Sequence, residues 1–289
     1  MNRRSMIKNV GSTIALSALG VSMSNAQQVN PKVPAKLKGN IKHSVCRWCY
    51  GSIPMDEFAK ACVDMGIQSI ELLGENEWVD LNKYGLKCAV GMTTEYGIPK
   101  GFNRLEYHDK LVAHYTDVIP KAAAAGVPSL ICFSGNSDGQ TDNDGLINCA
   151  AGLRKLMPIA EKYGVTLVIE LLNTNDHKDY QCCKTSWASA LCEMVGSERL
   201  KILYDIYHMQ IMEGNVVDSI KKYHKYIGHY HTGGVPGRHE IDETQELNYP
   251  FIMRSIVQTG YTGYVAQEFM PSKENKLESL RQGILICDV

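Results

Sequence analysis

The sequence predicts a (β/α)8 barrel. Eight short apolar, β-branched runs recur between residues 41 and 269, longer amphipathic stretches fill most of the gaps, and several of those stretches stop at a glycine just before the next run. Near-continuously apolar strands read as parallel strands buried on both faces. Eight such units in about 250 residues close into a barrel more naturally than they stack as an open sheet. A doubly wound open sheet is the alternative, but no GxGxxG or GxxxxGK[ST] follows any strand, so nucleotide folds lose their usual support.

The predicted strands, in order, are residues 41–46 (IKHSVC), 67–73 (IQSIELL), 86–92 (LKCAVGM), 128–134 (PSLICFS), 165–172 (VTLVIELL), 200–206 (LKILYDI), 226–232 (YIGHYHT) and 263–269 (GYVAQEF). The first helix starts at Pro54 and stops at Gly66, with Phe58, Ala61, Cys62 and Met65 at helical spacing. Helices over 103–126 and 144–164 each end in a glycine before the next strand. Stretches 184–196, 215–226 and 245–260 continue the rhythm. The interval between the second and third strands is short, and no helix is assigned to it.

Residues 1–26 combine a basic start, an uncharged and mostly apolar middle, and small residues at Ser24 and Ala26, the pattern of a cleaved signal peptide too weakly apolar to span a membrane. Arg3-Arg4 followed by Ser5-Met6-Ile7-Lys8 resembles the bacterial twin-arginine signal, which predicts the twin-arginine export machinery as a partner and a periplasmic location. Such routes carry folded proteins, often with a metal already in place. Residues 27–40 read as a polar, proline-bearing linker and 41–289 as one catalytic barrel domain. Removing the first 26 residues takes three positive charges (Arg3, Arg4, Lys8) and shifts the net charge from −1 to −4. With 30 basic against 31 acidic residues, nothing argues for a nucleic-acid partner. A homo-oligomer stays open.

Ten cysteines lack the spacing of a disulfide framework, and several lie inside apolar runs, as small core residues do. Cys46-x-x-Cys49 stands out as the spacing of a redox or zinc pair, but no second CxxC accompanies it and a redox motif would open a helix in a thioredoxin-like context, so the structural reading is preferred; a disulfide between the two after export stays open.

The C-terminal ends of barrel strands carry the active site. Glu71, Glu170, Asp205, His231 and Glu268 each place an ionisable group near the end of an otherwise apolar strand. Several such groups converging on one barrel mouth would repel and desolvate one another without a cation. Three carboxylates with one imidazole (Glu170, Asp205, Glu268 and His231) form a mainly hard donor set, suited to Mn²⁺ first, then Mg²⁺ or Co²⁺. The alternative is that these are solvated strand ends and a hydrogen-bonded core histidine. His229, two residues before His231, falls on the same strand face one layer deeper, as a packed residue. His177, His224 and His239 read as loop or helix-surface residues. Arg47, Trp48, Glu75 and Trp78 follow the first two strands and form either a substrate wall or ordinary rim packing.

The segments SVCRWCYG, IELLGENEW, LICFSGN, VIELLNT, LYDIYHMQIMEGN, GHYHTGGVPGRHEID and VAQEFMP together resemble the hydroxypyruvate isomerase group of the xylose-isomerase-like sugar isomerase and epimerase barrels, over about residues 41–271. The resemblance implies that Glu170 and Glu268 bind a metal and serve as the acid/base pair, that Asp205 and His231 complete the metal site, and that His208 and Arg238 bind substrate. In this reading the glycines and proline of HTGGVPGRHE turn the chain so that Arg238 reaches the substrate. A salt bridge from Arg238 to Glu240 or Asp242 is the alternative. The family departs from this sequence at one ligand: hydroxypyruvate isomerases tend to carry glutamine where His231 stands, and ketose 3-epimerases carry histidine.

The expected activity is therefore metal-dependent isomerisation of a small α-hydroxy carbonyl compound or sugar through a metal-stabilised enediolate, a general acid/base reaction assisted by a Lewis acid. A ketose 3-epimerase and a periplasmic sugar-binding barrel without turnover are the alternatives. A metal-dependent endonuclease of the related abasic-site repair barrels would need a richer cluster of histidines and a basic face.

Overall fold

The structure, a computed structural model, describes residues 36–93 and 96–289. The signal segment 1–26 and most of the 27–40 linker lie outside the described residues.

Eight parallel strands pair in the order β2-β1-β8-β7-β6-β5-β4-β3. They are β1 (Lys42–Cys46), β2 (Ser69–Glu71), β3 (Val90–Gly91), β4 (Ser129–Cys132), β5 (Thr166–Glu170), β6 (Leu200–Asp205), β7 (Ile227–Thr232) and β8 (Tyr264–Gln267). Parallel bridges from Ser69 to Lys87 and from Leu73 to Gly91 join the two outer strands, so the sheet closes on itself. This is the barrel the sequence predicts, with every strand shorter than its apolar run. The third shrinks most, from 86–92 to Val90–Gly91. At Gly91 a Cβ would stand 2.7 Å from the Trp78 ring and 3.0 Å from Leu130, so the indole packs directly on the strand backbone.

Ten α-helices cover the described chain: α1 (Met55–Asp64), α2 (Glu75–Trp78), α3 (Leu105–Ala125), α4 (Asp142–Arg154), α5 (Met157–Tyr163), α6 (Thr185–Val195), α7 (Ile206–Met212), α8 (Val216–Tyr223), α9 (Tyr249–Gln258) and α10 (Lys276–Cys287). Among them none is long and apolar enough to cross a membrane. Four points differ from the sequence expectation, the first being α10, a stretch to which the sequence reading assigns no helix. The single helix over 144–164 is two, because Pro158 has no N–H to continue the ladder and sits instead in the first turn of α5. The short interval after β2 does form a helical turn, α2, with the Glu77 side chain accepting from the Gly74 N–H at 3.2 Å. And α7, unforeseen, starts directly on β6, with Asp205 as its N-cap accepting from the His208 N–H at 3.2 Å.

Strand register sets the site. Asp205 lies opposite His231, and Ala266, two residues before Glu268, also lies opposite His231. Glu170 faces Leu203, two residues short of Asp205. Offsets of two keep side chains on one face, so all four point inward, staggered by the shear of the barrel. The register slips by one between Ile202 and Leu203. The residue skipped is Gly228, where a Cβ would come 2.7 Å from that of Lys201. That slip brings His229 and His231 to the inner face.

Candidate metal and substrate site

Glu170, Asp205, His231 and Glu268 are buried and offer one donor atom each, all within 4.8 Å of one another. His231 Nδ1 lies 2.7 Å from Glu268 Oε2 and 3.4 Å from Glu170 Oε1. Neither approach has hydrogen-bond geometry, and Nδ1 counts among the buried polar atoms without a hydrogen-bond partner. A ring nitrogen aimed among three carboxylates, in an oxygen-rich donor set, becomes a ligand to a divalent cation once it gives up its proton; the residues fit such an ion.

The other side of the His231 ring is fully engaged. Nε2 sits 2.9 Å from Glu71 Oε1, and the same oxygen takes His229 Nε2 at 2.7 Å, while Ser44 Oγ donates to Glu71 Oε2 at 2.5 Å. Burial alone would raise the Glu71 carboxyl, but His229 and His231 bring it down to about 2, so it is an ionised acceptor. An ionised acceptor fixes the proton on His231 Nε2 and leaves Nδ1 for the cluster. His229 is the packed residue that the strand pattern predicts, one layer below, and it has a definite part in the site because it shares Glu71. The Cys46 thiol stands 3.7 Å from His231 Nε2, and burial pushes it well above the ordinary thiol range. All ten cysteines are free thiols, Cys46 and Cys49 included.

The cluster titrates as a unit. Burial raises Glu170, and it lifts Asp205 to about 8 despite the Arg238 charge. Burial also opposes charge on Glu268, but His231 and Arg238 outweigh it and hold that carboxyl well below its usual range. His231 is held well above its usual value: burial works against the imidazolium, and the Glu268 carboxylate, with Glu170 beside it, overcomes it.

Arg238 reaches the cluster as the sequence suggests. The chain turns through Gly237 (φ 90°) and Arg238 itself (φ 57°), a left-handed conformation uncommon for a side-chain-bearing residue. Its Nη2 donates to Glu268 Oε2 at 2.6 Å and to Asp205 Oδ2 at 3.2 Å. The guanidinium lies between the Trp48 and Tyr207 rings, 5.3 and 5.2 Å from their centroids. The expected alternative partners bind elsewhere: Glu240 accepts from Ser272, Lys273 and Ser279, and Asp242 pairs with Lys273.

Of the four wall candidates, Trp48 belongs to the site. It is half-exposed, and its Nε1 donates to Glu268 Oε1 at 2.8 Å. Trp78 is core, donating to the Leu73 carbonyl. Glu75 pairs with Lys121 on the surface, and Arg47 donates to the carbonyls of Tyr50 and Ile53. His208 is fully buried with Nε2 3.7 Å from Asp205 Oδ2. His177, expected as a loop or helix-surface residue, is a half-buried loop residue that stacks edge-on against it, centroids 5.4 Å apart. Sequence reasoning missed Asn173 and Tyr207. A buried asparagine just past the Glu170 strand end was the signal available for the first; nothing local marked the second.

Residues 59–285 match the family described as "Xylose isomerase-like TIM barrel". A 2-oxo-tetronate isomerase of Cupriavidus necator is 40% identical over 112 residues, 39% of this chain and 43% of that protein. That match therefore spans less than half of the relative's length. A 2-oxo-tetronate isomerase of Pectobacterium atrosepticum is 26% identical over 240 residues, 77% of this chain and 88% of its own. The hydroxypyruvate isomerase of Escherichia coli is 30% identical over 167 residues, 57% and 63% of the two chains. Among solved structures, an AP endonuclease, family 2, from Brucella melitensis superposes with TM-score 0.75 at 21% identity, covering 84% of this chain and 97% of that one. D-psicose 3-epimerase from Clostridium cellulolyticum does so with TM-score 0.65 at 16% identity, covering 85% and 90%. Those two likenesses speak for the fold.

Proposed function

The chain belongs to the xylose isomerase-like TIM barrel family, and from that premise we propose that it is a divalent-metal-dependent isomerase acting on a small α-hydroxy carbonyl compound. One observation carries the reading: three carboxylates and one imidazole, all buried, converge within 4.8 Å at the strand ends of one barrel mouth. The relatives support it by name, since hydroxypyruvate and 2-oxo-tetronate are both short 2-oxo acids with a hydroxyl beside the carbonyl.

Glu170, Asp205, His231 and Glu268 would hold the ion, Mn²⁺ first and Mg²⁺ or Co²⁺ next. When bound, the ion supplies Lewis-acid polarisation of the substrate's carbonyl and hydroxyl oxygens, acidifying the C–H between them. The chain's residues do the rest. Glu170 and Glu268 rise from strands three places apart in the sheet, so their carboxylates flank a ligand from two sides. One takes the carbon-bound proton, giving an enediolate, and one returns it at the neighbouring carbon. Trp48 and Arg238 orient Glu268 by donating to its two oxygens. Arg238, always charged, is also placed to meet a substrate carboxylate.

Epimerisation is the second reading, favoured by histidine rather than glutamine at position 231 and served by the same two carboxylates. The test is proton exchange: the metal-loaded protein in D₂O with hydroxypyruvate and a panel of ketoses, followed by NMR. Deuterium entering one substrate, lost with EDTA and in Glu268→Gln, supports the chemistry, and its position separates isomer from epimer. No exchange across the panel with metal bound would favour a binding protein instead. We also propose export, supported by Arg3-Arg4 and the apolar stretch behind them; an Arg3→Lys, Arg4→Lys double variant retained in the cytoplasm is the expected result.

A further inference from the structure

The hydrogen bonds around His208 leave its ring no choice of tautomer. Asn173, fully buried just past β5, donates its backbone N–H to His208 Nδ1 at 3.1 Å. Its side-chain Nδ2 lies 2.7 Å from the same nitrogen. The amide orientation follows from its other bonds: Oδ1 accepts from the backbone N–H groups of Asn175 and Asp176 at 3.0 and 2.8 Å, and Nδ2 donates to Asp176 Oδ2 at 2.9 Å. Backbone N–H groups can only donate, so Oδ1 faces them and the amide nitrogen faces His208. Asp176 is itself held by the Tyr207 hydroxyl at 2.8 Å. His208 Nδ1 thus receives two donors and carries no proton.

The ring's one proton is therefore on Nε2. That atom is buried and without a hydrogen-bond partner, and its nearest acidic oxygen, Asp205 Oδ2, is 3.7 Å away, beyond bonding distance. A buried donor left unpaired costs roughly as much as a lost hydrogen bond, so it is retained where a ligand completes it.

We propose that Asn173 is a positioning residue that locks His208 as the neutral Nε2–H tautomer, making it an obligate hydrogen-bond donor to an acceptor oxygen of the ligand beside Asp205. This rests on the functional reading for the identity of the ligand, and on hydrogen-bond geometry alone for the tautomer. In such a site His208 does not shuttle protons: with Nδ1 blocked by two donors it can only offer one. The proton traffic stays with Glu170 and Glu268.

The experiment uses the full chain labelled with ¹⁵N-histidine and loaded with diamagnetic Mg²⁺. Two-bond ¹H–¹⁵N correlations distinguish a bare ring nitrogen from a protonated one, and the His208 signals are those missing in His208→Gln. The expected result at neutral pH is a bare Nδ1 and a protonated Nε2. A protonated Nδ1, in either the other tautomer or the charged ring, overturns the proposal. Asn173→Asp replaces the side-chain donor with an acceptor and is expected to draw a proton onto Nδ1 and cut kcat/KM about tenfold or more. Asn173→Ala leaves the backbone donor, so the tautomer should persist with a smaller loss. Equal losses in both variants, with the tautomer unchanged, would reduce Asn173 to a packing role and also overturn it. Since the spectra need no turnover, an inactive wild-type protein would count against the isomerase reading and leave the tautomer result standing.

Discussion

Glu71 Oε1 accepts from His231 Nε2 at 2.9 Å across 160 residues of chain, joining the end of β2 to the end of β7 beneath the carboxylate cluster. This contact decides which face of the imidazole the cluster meets. Glu71→Gln removes the ionised acceptor, so the ring is free to carry its proton on the cluster side. Metal affinity is expected to fall about 10–100-fold, the usual cost of losing such a partner. Competition with a fluorescent chelator measures it; affinity within twofold of the parent would show that His231 needs no such support.

Metal binding is expected to release protons and to tighten as pH rises. His231 is held charged well above its ordinary range and Asp205 is lifted to about 8, and each must give up its proton to ligate. Affinity therefore weakens as pH falls below about 8. Calorimetric titrations with Mg²⁺ or Mn²⁺ in buffers of different ionisation enthalpy count the protons; a pH-independent constant between 6 and 9, on the order of the range these groups span, would contradict the arrangement.

Glu170→Gln and Glu268→Gln are nearly isosteric and should leave the barrel folded. Removing a positioned acid or base costs about 10²–10⁴-fold in rate. Circular dichroism and isotope exchange together make the test: a folded variant with unimpaired exchange would remove that residue from the proton-transfer pair.

Arg238→Lys keeps the charge and loses the planar guanidinium that lies between Trp48 and Tyr207, reaches Glu268 and Asp205 through Nη2 and donates from Nε to the Glu268 carbonyl. A lysine makes a point contact there. The expected result is a fall in kcat/KM of about tenfold or more, from one charge-assisted hydrogen bond lost. Steady-state kinetics would detect it, and parent-like values would mean that charge alone suffices.

Acid stability carries a separate signature outside the cluster. Burial lowers His43 on β1 from 6.5 to about 4, against the pull of Asp288. The unfolded chain takes up this proton below pH 6.5 and the folded protein does so only near pH 4, so stability is complete above 6.5 and declines as pH falls through that window. The shift corresponds to about 3 kcal/mol at most. Urea unfolding from pH 7 to 4 should show a shallower decline in His43→Gln, and an identical slope would place the acid sensitivity elsewhere.

How far the sequence reached can be argued residue by residue. The eight apolar runs were legible because strands buried on both faces must be apolar along their length, and an ionisable group inside such a run is conspicuous: that is how Glu170, Asp205, His231 and Glu268 could be picked out. Pro158 was equally visible, yet its effect was not, since a proline starts one helix as readily as it ends another. Helix α7 was hidden because Asp205 reads as a strand end and serves as a helix cap at once.

The sequence by itself thus determined the barrel, the strand ends and the chemical types gathered there, since periodicity and composition are local properties. Only the tertiary structure decided the partners. That Arg238 turns to Glu268 and Asp205 and away from its neighbours Glu240 and Asp242 depends on a left-handed turn and on two rings, Trp48 and Tyr207, from distant segments of the chain. That Glu71 and Asn173 each fix a histidine depends on barrel closure and shear, which set residues from different strands at one level. Hydrogen bonds across such distances leave no trace in a periodic pattern, because the pattern records which way a side chain faces and not what it meets.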